Sequence, residues 1–206
     1  MLFEQSYKTI EANGEGVFKD RGSRFLAFAF PVKSEHAVKE IINGTRVLHS
    51  KANHHCYAFR LGPGKSVFRF SDDREPAGSA GKPIFGVIQS HDLTDVLIIV
   101  VRYFGGTLLG VPGLINAYRS AAVEAILHCT IIEKIVMEQY NLLFDYNRLS
   151  LVMEILKSAK ATVISSELET KCSVSIELPK QAADILIGKI RHHYLLKDQC
   201  EIKVLR

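Results

Sequence analysis

The most apolar run of the chain lies near its middle, and a glycine-rich segment and a helical periodicity follow it. Residues 96–101 are an unbroken run of branched aliphatic side chains, which is typical of a strand covered on both faces. Leu114, Tyr118 and Ala121 recur at three- and four-residue spacing and predict a helix. The first part of the chain is therefore organised around the order strand, glycine loop, helix.

The segment before this centre alternates between apolar and polar positions several times, which predicts strands. A serine followed by a glutamate before a three- to four-residue apolar periodicity predicts a capped helix. The predicted elements are a hairpin over residues 7–19 with its turn near Asn13-Gly14, a strand over 25–31, a helix from Ser34 to about Leu48, and a strand pair over 54–61 and 67–70.

The last third of the chain predicts strands and helices in the order β-α-β-β-α-β. Tyr140, Leu142 and Phe144, for example, alternate with polar residues. This order is the ferredoxin-like split βαβ arrangement. We predict an α+β protein with an N-terminal domain over residues 1–132 and a ferredoxin-like βαββαβ domain over residues 133–206.

Composition narrows the class of protein. The 206 residues are 47% hydrophobic and 23% charged, which is ordinary for a soluble protein. No signal peptide and no membrane-spanning run is recognised, so we expect a cytoplasmic protein that does not meet a membrane. The four cysteines form no CxxC pair, which predicts buried free thiols.

The net charge of +4 is too small to indicate a nucleic-acid binder and is spread evenly between residues 1–133 and 134–206, but one local segment is basic. Residues 46–70 contain five basic residues, three histidines and no acidic residue. Such a segment can present a positive face to phosphate or to an acidic partner. The alternative is that these side chains are ordinary solvated surface.

The glycine loop contains Gly105, Gly106 and Gly110. A loop that opens onto a helix N-terminus can hold an anion, because free amide groups and the helix dipole favour negative charge. The spacing matches neither a P-loop nor a dinucleotide fingerprint, and a tight turn that serves only packing is the alternative. We expect Gly106 to lie where its backbone approaches a ligand or a neighbouring part of the chain too closely for a Cβ.

Three acids, Asp72, Asp73 and Glu75, lie in a segment rich in glycine and proline. Clustered carboxylates suit a magnesium ion or a general base, but aspartates also occur in turns simply as backbone acceptors. His54 and His55 are adjacent in a predicted strand, so their side chains point to opposite faces. We predict no metal and no cofactor.

Three separated segments together resemble the IMPACT/YigZ family. They are His54-His55-Cys56-Tyr57-Ala58, residues 71–83 and residues 101–110. The resemblance covers the whole chain. It implies a ribosomal-protein-like βαβ domain at the N-terminus, followed by the ferredoxin-like domain of the bacterial members. The chain departs from the family at Arg74, where relatives usually have glycine, and at Val111-Pro112, where many have a further glycine.

The resemblance also implies a function. Eukaryotic IMPACT regulates translation by competing for an activator of a stress kinase, a partner that bacteria lack. We therefore expect a non-enzymatic, translation-associated regulator that binds RNA or a ribosome weakly, or a protein partner, through its N-terminal domain. The residues expected on that surface are Arg24, His54, His55, Lys82, Arg102 and Tyr103. The alternative is a hydrolase or phosphotransferase that uses the glycine loop and the three acids on a phosphorylated or peptidic substrate.

Overall fold

The computed structural model describes residues 5–205, which divide into two compact units. One contains residues 6–134 and the other contains Gln5 with residues 135–205. Both combine helices with antiparallel sheets, so the predicted α+β class is confirmed. No helix of the described residues is long and apolar enough to cross a membrane.

The N-terminal unit is built on a five-stranded antiparallel sheet in the order β2-β3-β6-β4-β5, beside a small sheet of β1 and β7. The bounds are β1 (Ser6–Ile10), β2 (Gly14–Asp20), β3 (Ser23–Pro31), α1 (Glu35–Leu48), β4 (His54–Leu61), β5 (Val67–Ser71), α2 (Gly81–Ser90), β6 (Val96–Tyr103), α3 (Gly110–Leu127) and β7 (Ile131–Ile135).

Strand β6 is the centre of this sheet and is buried on both faces, as predicted. Ile98 and Val100 belong to the core that contains α2 and α3, whereas Leu97, Ile99 and Val101 belong to the core that contains α1. A strand with apolar neighbours above and below needs apolar side chains at every position, and this explains the uninterrupted run.

The hairpin predicted at Asn13-Gly14 is wrong. Strand β2 pairs with β3 through a turn at Arg21 and Gly22, which have φ of +42° and +79°, whereas β1 pairs with β7. Gly14 instead lies against α3, where a Cβ would be 2.5 Å from the Ala125 carbonyl oxygen. The glycine that resembled a turn residue is required by helix packing.

The C-terminal unit has a four-stranded antiparallel sheet in the order β11-β8-β10-β9. The first and third strands of the βαββαβ order are central, which confirms the ferredoxin-like prediction. The bounds are β8 (Met137–Asp145), a 3₁₀ turn (Tyr146–Arg148), α4 (Leu149–Ser158), β9 (Thr162–Leu168), β10 (Lys171–Pro179), α5 (Lys180–His192) and β11 (Cys200–Leu205).

Among the described residues, two hydrophobic clusters lie in the N-terminal unit and one lies in the C-terminal unit. That each unit folds independently stays a prediction. Because β7 completes the sheet that contains β1, we expect a fragment of residues 1–135 to unfold cooperatively, and a fragment ending at residue 130 to be less stable. Thermal melts followed by circular dichroism will measure both. The absence of a cooperative transition in the longer fragment would contradict two separately folding domains.

Candidate functional site

A buried ion pair joins β6 to the loop between β5 and α2. The Arg102 Nη1 donates to Glu75 Oε1 at 2.7 Å, and the Tyr118 hydroxyl of α3 donates to the same oxygen at 2.8 Å. Only 6% of the Arg102 side chain and 4% of the Glu75 side chain are exposed. Three separate parts of the fold therefore meet at one carboxylate oxygen.

The strand register determines which side chains surround this pair. Phe25 of β3 and His54 of β4 both lie opposite Arg102 of β6 and share its face of the sheet. His54 Nε2 is 3.7 Å from Glu75 Oε1. The Arg102 guanidinium carbon is 5.4 Å from the ring centroids of Phe25 and Phe104, and its buried Nε has no hydrogen-bond partner.

Two further groups beside the pair stay protonated at neutral pH. Burial raises the pKa of Tyr118, and neighbouring Cys56 and Glu75 raise it further. Burial also raises the pKa of the Cys56 thiol, whose Sγ donates to the Asp72 carbonyl oxygen at 3.0 Å. Neither group has the ready anion that nucleophilic attack requires.

Asp72 caps the start of α2 from outside the helix. Its Oδ1 accepts from the amides of Ala80 and Gly81 at 3.0 and 2.8 Å, and its Oδ2 accepts from the Gly78 amide at 2.9 Å. A carboxylate at this position satisfies free amides and complements the helix dipole.

Asp73 accepts hydrogen bonds from strand β4 and helix α1. Its Oδ2 accepts from the His55 amide at 2.7 Å, and its Oδ1 accepts from Arg46 Nη2 at 3.3 Å. The three acids of the alternative catalytic prediction, Asp72, Asp73 and Glu75, thus have separate partners and do not converge. Among residues 5–205 no group of three histidine, cysteine or acidic side chains could hold a metal ion.

The glycine loop connects β6 to α3 as predicted, but Gly106 is not its crowded position. A Cβ on Gly106 would meet no atom within 4 Å, and only its φ of +87° favours glycine. Gly105 is the crowded residue, because a Cβ there would be 2.0 Å from the carbonyl carbon of Gly22. The loop therefore packs on the β2–β3 turn, and its use as an anion cradle stays a prediction.

A cleft of about 440 Å³ lies between the glycine loop and the acidic loop, and we call it the loop cleft. Arg102, Glu75 and His54 line it together with apolar side chains from the glycine loop and α3. The exposed apolar residues at its rim are Phe104 at 43%, Leu108 at 82% and Val111 at 47%. The lining residues are Asn53, His54, Arg74, Glu75, Pro76, Arg102, Phe104, Leu108, Leu109, Gly110, Val111 and Leu114.

The six residues predicted on a binding surface do not share one face. Arg102 and His54 lie on the α2–α3 face of the sheet, and the register puts Arg24 and Tyr103 opposite each other on the α1 face. His55 is also on the α1 face and is buried, which lowers its pKa. Lys82 is exposed on α2. Since Arg102 is buried in an ion pair, it is not free to reach a partner.

The basic segment over residues 46–70 is not an uncompensated positive face. Arg46 pairs with Asp73, and Arg69 with Glu35. Both Arg60 and Lys65 contact Asp92. The segment contains no acid of its own, but the fold brings carboxylates to it from elsewhere. Of its five basic residues, only Lys51 has no acidic partner among the described residues.

Comparison with known proteins identifies the family. Residues 21–126 match the family model of the Impact N-terminal domain. IMPACT family member YigZ of Escherichia coli K12 is 33% identical over 159 residues, which are 76% of this chain and 78% of that relative. The chain belongs to the IMPACT family.

The similarity extends beyond the N-terminal unit. IMPACT family member YvyE of Bacillus subtilis 168 is 32% identical over 155 residues, which cover 75% of this chain and 71% of that relative. A crystal structure of a hypothetical protein is similar with a TM-score of 0.76 and 26% identity, over 98% of each chain. The predicted family is therefore confirmed.

One departure from the family is explained by the backbone. Arg74, the position at which the resemblance implies glycine, has φ of +72°. This left-handed conformation favours glycine. The arginine thus adopts a backbone conformation that suits glycine, and its Nη2 donates to the Asn53 carbonyl oxygen at 3.2 Å.

Two residues of the site were missed by sequence reasoning. The helical periodicity predicts Tyr118 only as a position of the apolar stripe, although a hydroxyl on a buried stripe signals a need for a polar partner. Asn53 accepts from the Phe104 amide through Oδ1 at 2.9 Å and so holds the start of the glycine loop. Nothing in the local pattern around Asn53 indicated that contact.

Gly105 and Gly106 differ in the space around them, so the same substitution should destabilise the protein by different amounts. Gly105→Ala forces the β2–β3 turn away and should lower the free energy of unfolding by about 3 kcal/mol. Gly106→Ala meets open space and should cost only about 1 kcal/mol, through its left-handed φ. Urea unfolding of both variants measures the difference. Equal costs would contradict the packing of Gly105 on the turn.

Proposed function

We propose that this chain is a translation-associated regulatory protein that acts by binding, and that its N-terminal unit binds a protein partner in the loop cleft. Family membership supports a role in translation, because the resemblance implies that eukaryotic IMPACT proteins regulate it. Contact with RNA or with a ribosome is a weaker, electrostatic part of the same proposal.

The observation that carries the proposal is the composition of the loop cleft. Its rim has the exposed apolar side chains of Phe104, Leu108 and Val111, and its base has the buried Arg102–Glu75 pair. Apolar anchors that enter a pocket with a few fixed polar groups dominate the affinity of protein interfaces. A cleft of this kind suits an apolar side chain of a partner better than it suits a phosphate.

The distribution of charge also favours a protein over RNA. Four of the five basic residues in the segment over 46–70 contact carboxylates, so few charges remain for phosphate contacts. Because each phosphate contact adds to the salt dependence of binding, RNA association through this segment should be weak and should disappear as salt rises.

Among residues 5–205, the open sheet face of the C-terminal unit carries no aromatic ring on which RNA bases could stack, because the aromatic residues of its strands, Tyr140 and Phe144, are in the core. Asn141 of β8 donates to the hydroxyls of Ser173 and Ser175 of β10, at 2.9 and 3.1 Å, so polar side chains on this face satisfy one another. Ferredoxin-like RNA-binding domains instead use aromatic rings on the sheet to stack bases. The partner is therefore assigned to the N-terminal unit.

The enzymatic alternative is less well supported. Asp72 is occupied by three backbone amides, Asp73 by His55 and Arg46, and Glu75 by Arg102 and Tyr118. A general base must reach its proton from a hydrogen-bonding position that faces the substrate. Carboxylates that hold the fold together in this way favour binding over reaction.

The test is the association of the purified chain with ribosomes and its effect on translation of a reporter in a cell extract. Leu108→Asp should weaken both by about tenfold or more, because it introduces a charge at the apolar rim. Val47→Asp is the matched control, since Val47 is similarly exposed at 77% but lies on α1 away from the cleft.

Ribosome pelleting at low and physiological salt, with and without ribonuclease, distinguishes binding to a protein partner from binding to RNA. Binding through a protein partner should survive physiological salt and depend on Leu108. Binding that is lost with salt and is equally strong in Leu108→Asp and Val47→Asp would support RNA contact and contradict the loop cleft as the partner site.

A further inference from the structure

A second pocket lies on the α1 face of the N-terminal unit, and its side chains are those that recognise a cation. The pocket has a volume of about 210 Å³ and is lined by residues of β2, β3 and the end of α1. We call it the α1 pocket. The lining residues that matter are Glu15, Phe28, Phe30, Thr45, Leu48 and His49.

Aromatic rings form one side of the α1 pocket. Phe28 and Phe30 follow each other on the same face of β3, with ring centroids 6.5 Å apart and planes inclined by 24°. The His49 ring is 5.3 Å from that of Phe28, and its Nδ1 is 2.9 Å from the Tyr103 hydroxyl, which fixes its orientation. The negative faces of phenyl rings attract cations.

A carboxylate also lines the α1 pocket. Glu15 of β2 is directly opposite Phe28 in the register, so both side chains project from the same face of the sheet. Glu15 is exposed and has no hydrogen-bond or ion-pair partner among the described residues. Its negative charge is thus free to pair with a bound cation.

The C-terminal end of α1 is a third feature of the pocket that favours a cation. Thr45, Leu48 and His49 are at the C-terminus of a 14-residue helix, where the helix dipole favours positive charge. Arg46, the basic residue of that last turn, is paired with Asp73 at 3.3 Å. Rings, carboxylate and helix end therefore all favour a cation in the α1 pocket.

The size of the α1 pocket selects the kind of cation. Its volume is below the roughly 300–1,000 Å³ typical of small-molecule sites, so it suits the end of a side chain better than it suits a cofactor. A guanidinium is planar, weakly hydrated and stacks on aromatic faces, whereas an ammonium is compact and strongly hydrated. The pocket therefore fits arginine better than lysine.

We propose that the α1 pocket binds an arginine side chain of a partner protein, with the guanidinium against the rings of Phe28 and Phe30 and its charge paired with Glu15. The proposal rests on the proposed function only in taking the partner to be a protein. It adds a site on the opposite face of the sheet from Arg102, and it specifies the chemistry of the residue that enters.

The probe is N-acetylarginine amide, titrated into the full chain and followed by the backbone amide shifts in NMR spectra. We expect saturable shifts at millimolar concentration for the residues of the α1 pocket. N-acetylcitrulline amide has the same shape without the charge and should cause no saturable shift there. Equal responses to the two compounds, or no response to either, would overturn the proposal.

Two substitutions test the contributions of the carboxylate and of the aromatic rings separately. Glu15→Gln removes the charge and Phe30→Leu removes a ring, and each should weaken arginine binding about two- to fivefold. Glu40→Gln is the matched control, because Glu40 is an exposed carboxylate on α1, the helix whose end lines the pocket, but it pairs with His36 and does not itself line the pocket. An equal effect of Glu15→Gln and Glu40→Gln would show only a general influence of net charge and would overturn the proposal.

A negative result for arginine binding in the α1 pocket can be distinguished from a negative result for partner binding in the loop cleft. Leu108→Asp changes the loop cleft and should leave the binding of N-acetylarginine amide unchanged. Loss of arginine binding in Leu108→Asp would contradict the assignment of the arginine to the α1 pocket. The ribosome and reporter measurements on that variant are independent of the arginine titration.

Discussion

The buried ion pair between Arg102 and Glu75 is the interaction on which the candidate site depends. It ties the central strand to the acidic loop, and the hydroxyl of Tyr118 on α3 donates to the same carboxylate oxygen. Removing one partner of a buried pair typically costs about 3–5 kcal/mol, because the remaining charge is left uncompensated. This constraint gives the loop cleft a fixed polar base beneath an apolar rim, and it explains why an acidic residue in a glycine-rich loop need not be catalytic.

Much of the fold could be predicted from the sequence, because burial imposes a period on each element. The doubly buried strand β6, the Ser34-capped helix α1 and the βαββαβ order of the C-terminal unit all follow from such periods. The hairpin at Asn13-Gly14 was mispredicted because glycine serves turns and close packing alike, and the local sequence does not distinguish them. The sequence pattern does not predict strand β7, since its partner β1 lies far away in the chain.

The candidate site could be predicted less well, because its contacts join distant residues. Glu75 was identified as an acid of interest, but its partners lie 27 and 43 residues further along the chain. In the same way, the basic segment had no acid of its own, whereas the fold brings Asp92 to Arg60 and Lys65. Residues that the sequence predicts to be catalytic or to bind phosphate therefore form contacts within the fold instead. Two candidate binding surfaces remain, on opposite faces of one sheet. They are the apolar loop cleft and the α1 pocket, which we propose binds a cation.

The most direct test of this account is a double-mutant cycle on the buried pair, measured as free energies of unfolding in urea. The variants are Glu75→Gln, Arg102→Met and the double substitution. We predict that the double variant is less destabilised than the sum of the single variants, by a coupling of about 2 kcal/mol, because the second change removes the charge that the first leaves unpaired. Additive costs would contradict the claim that this pair organises the site.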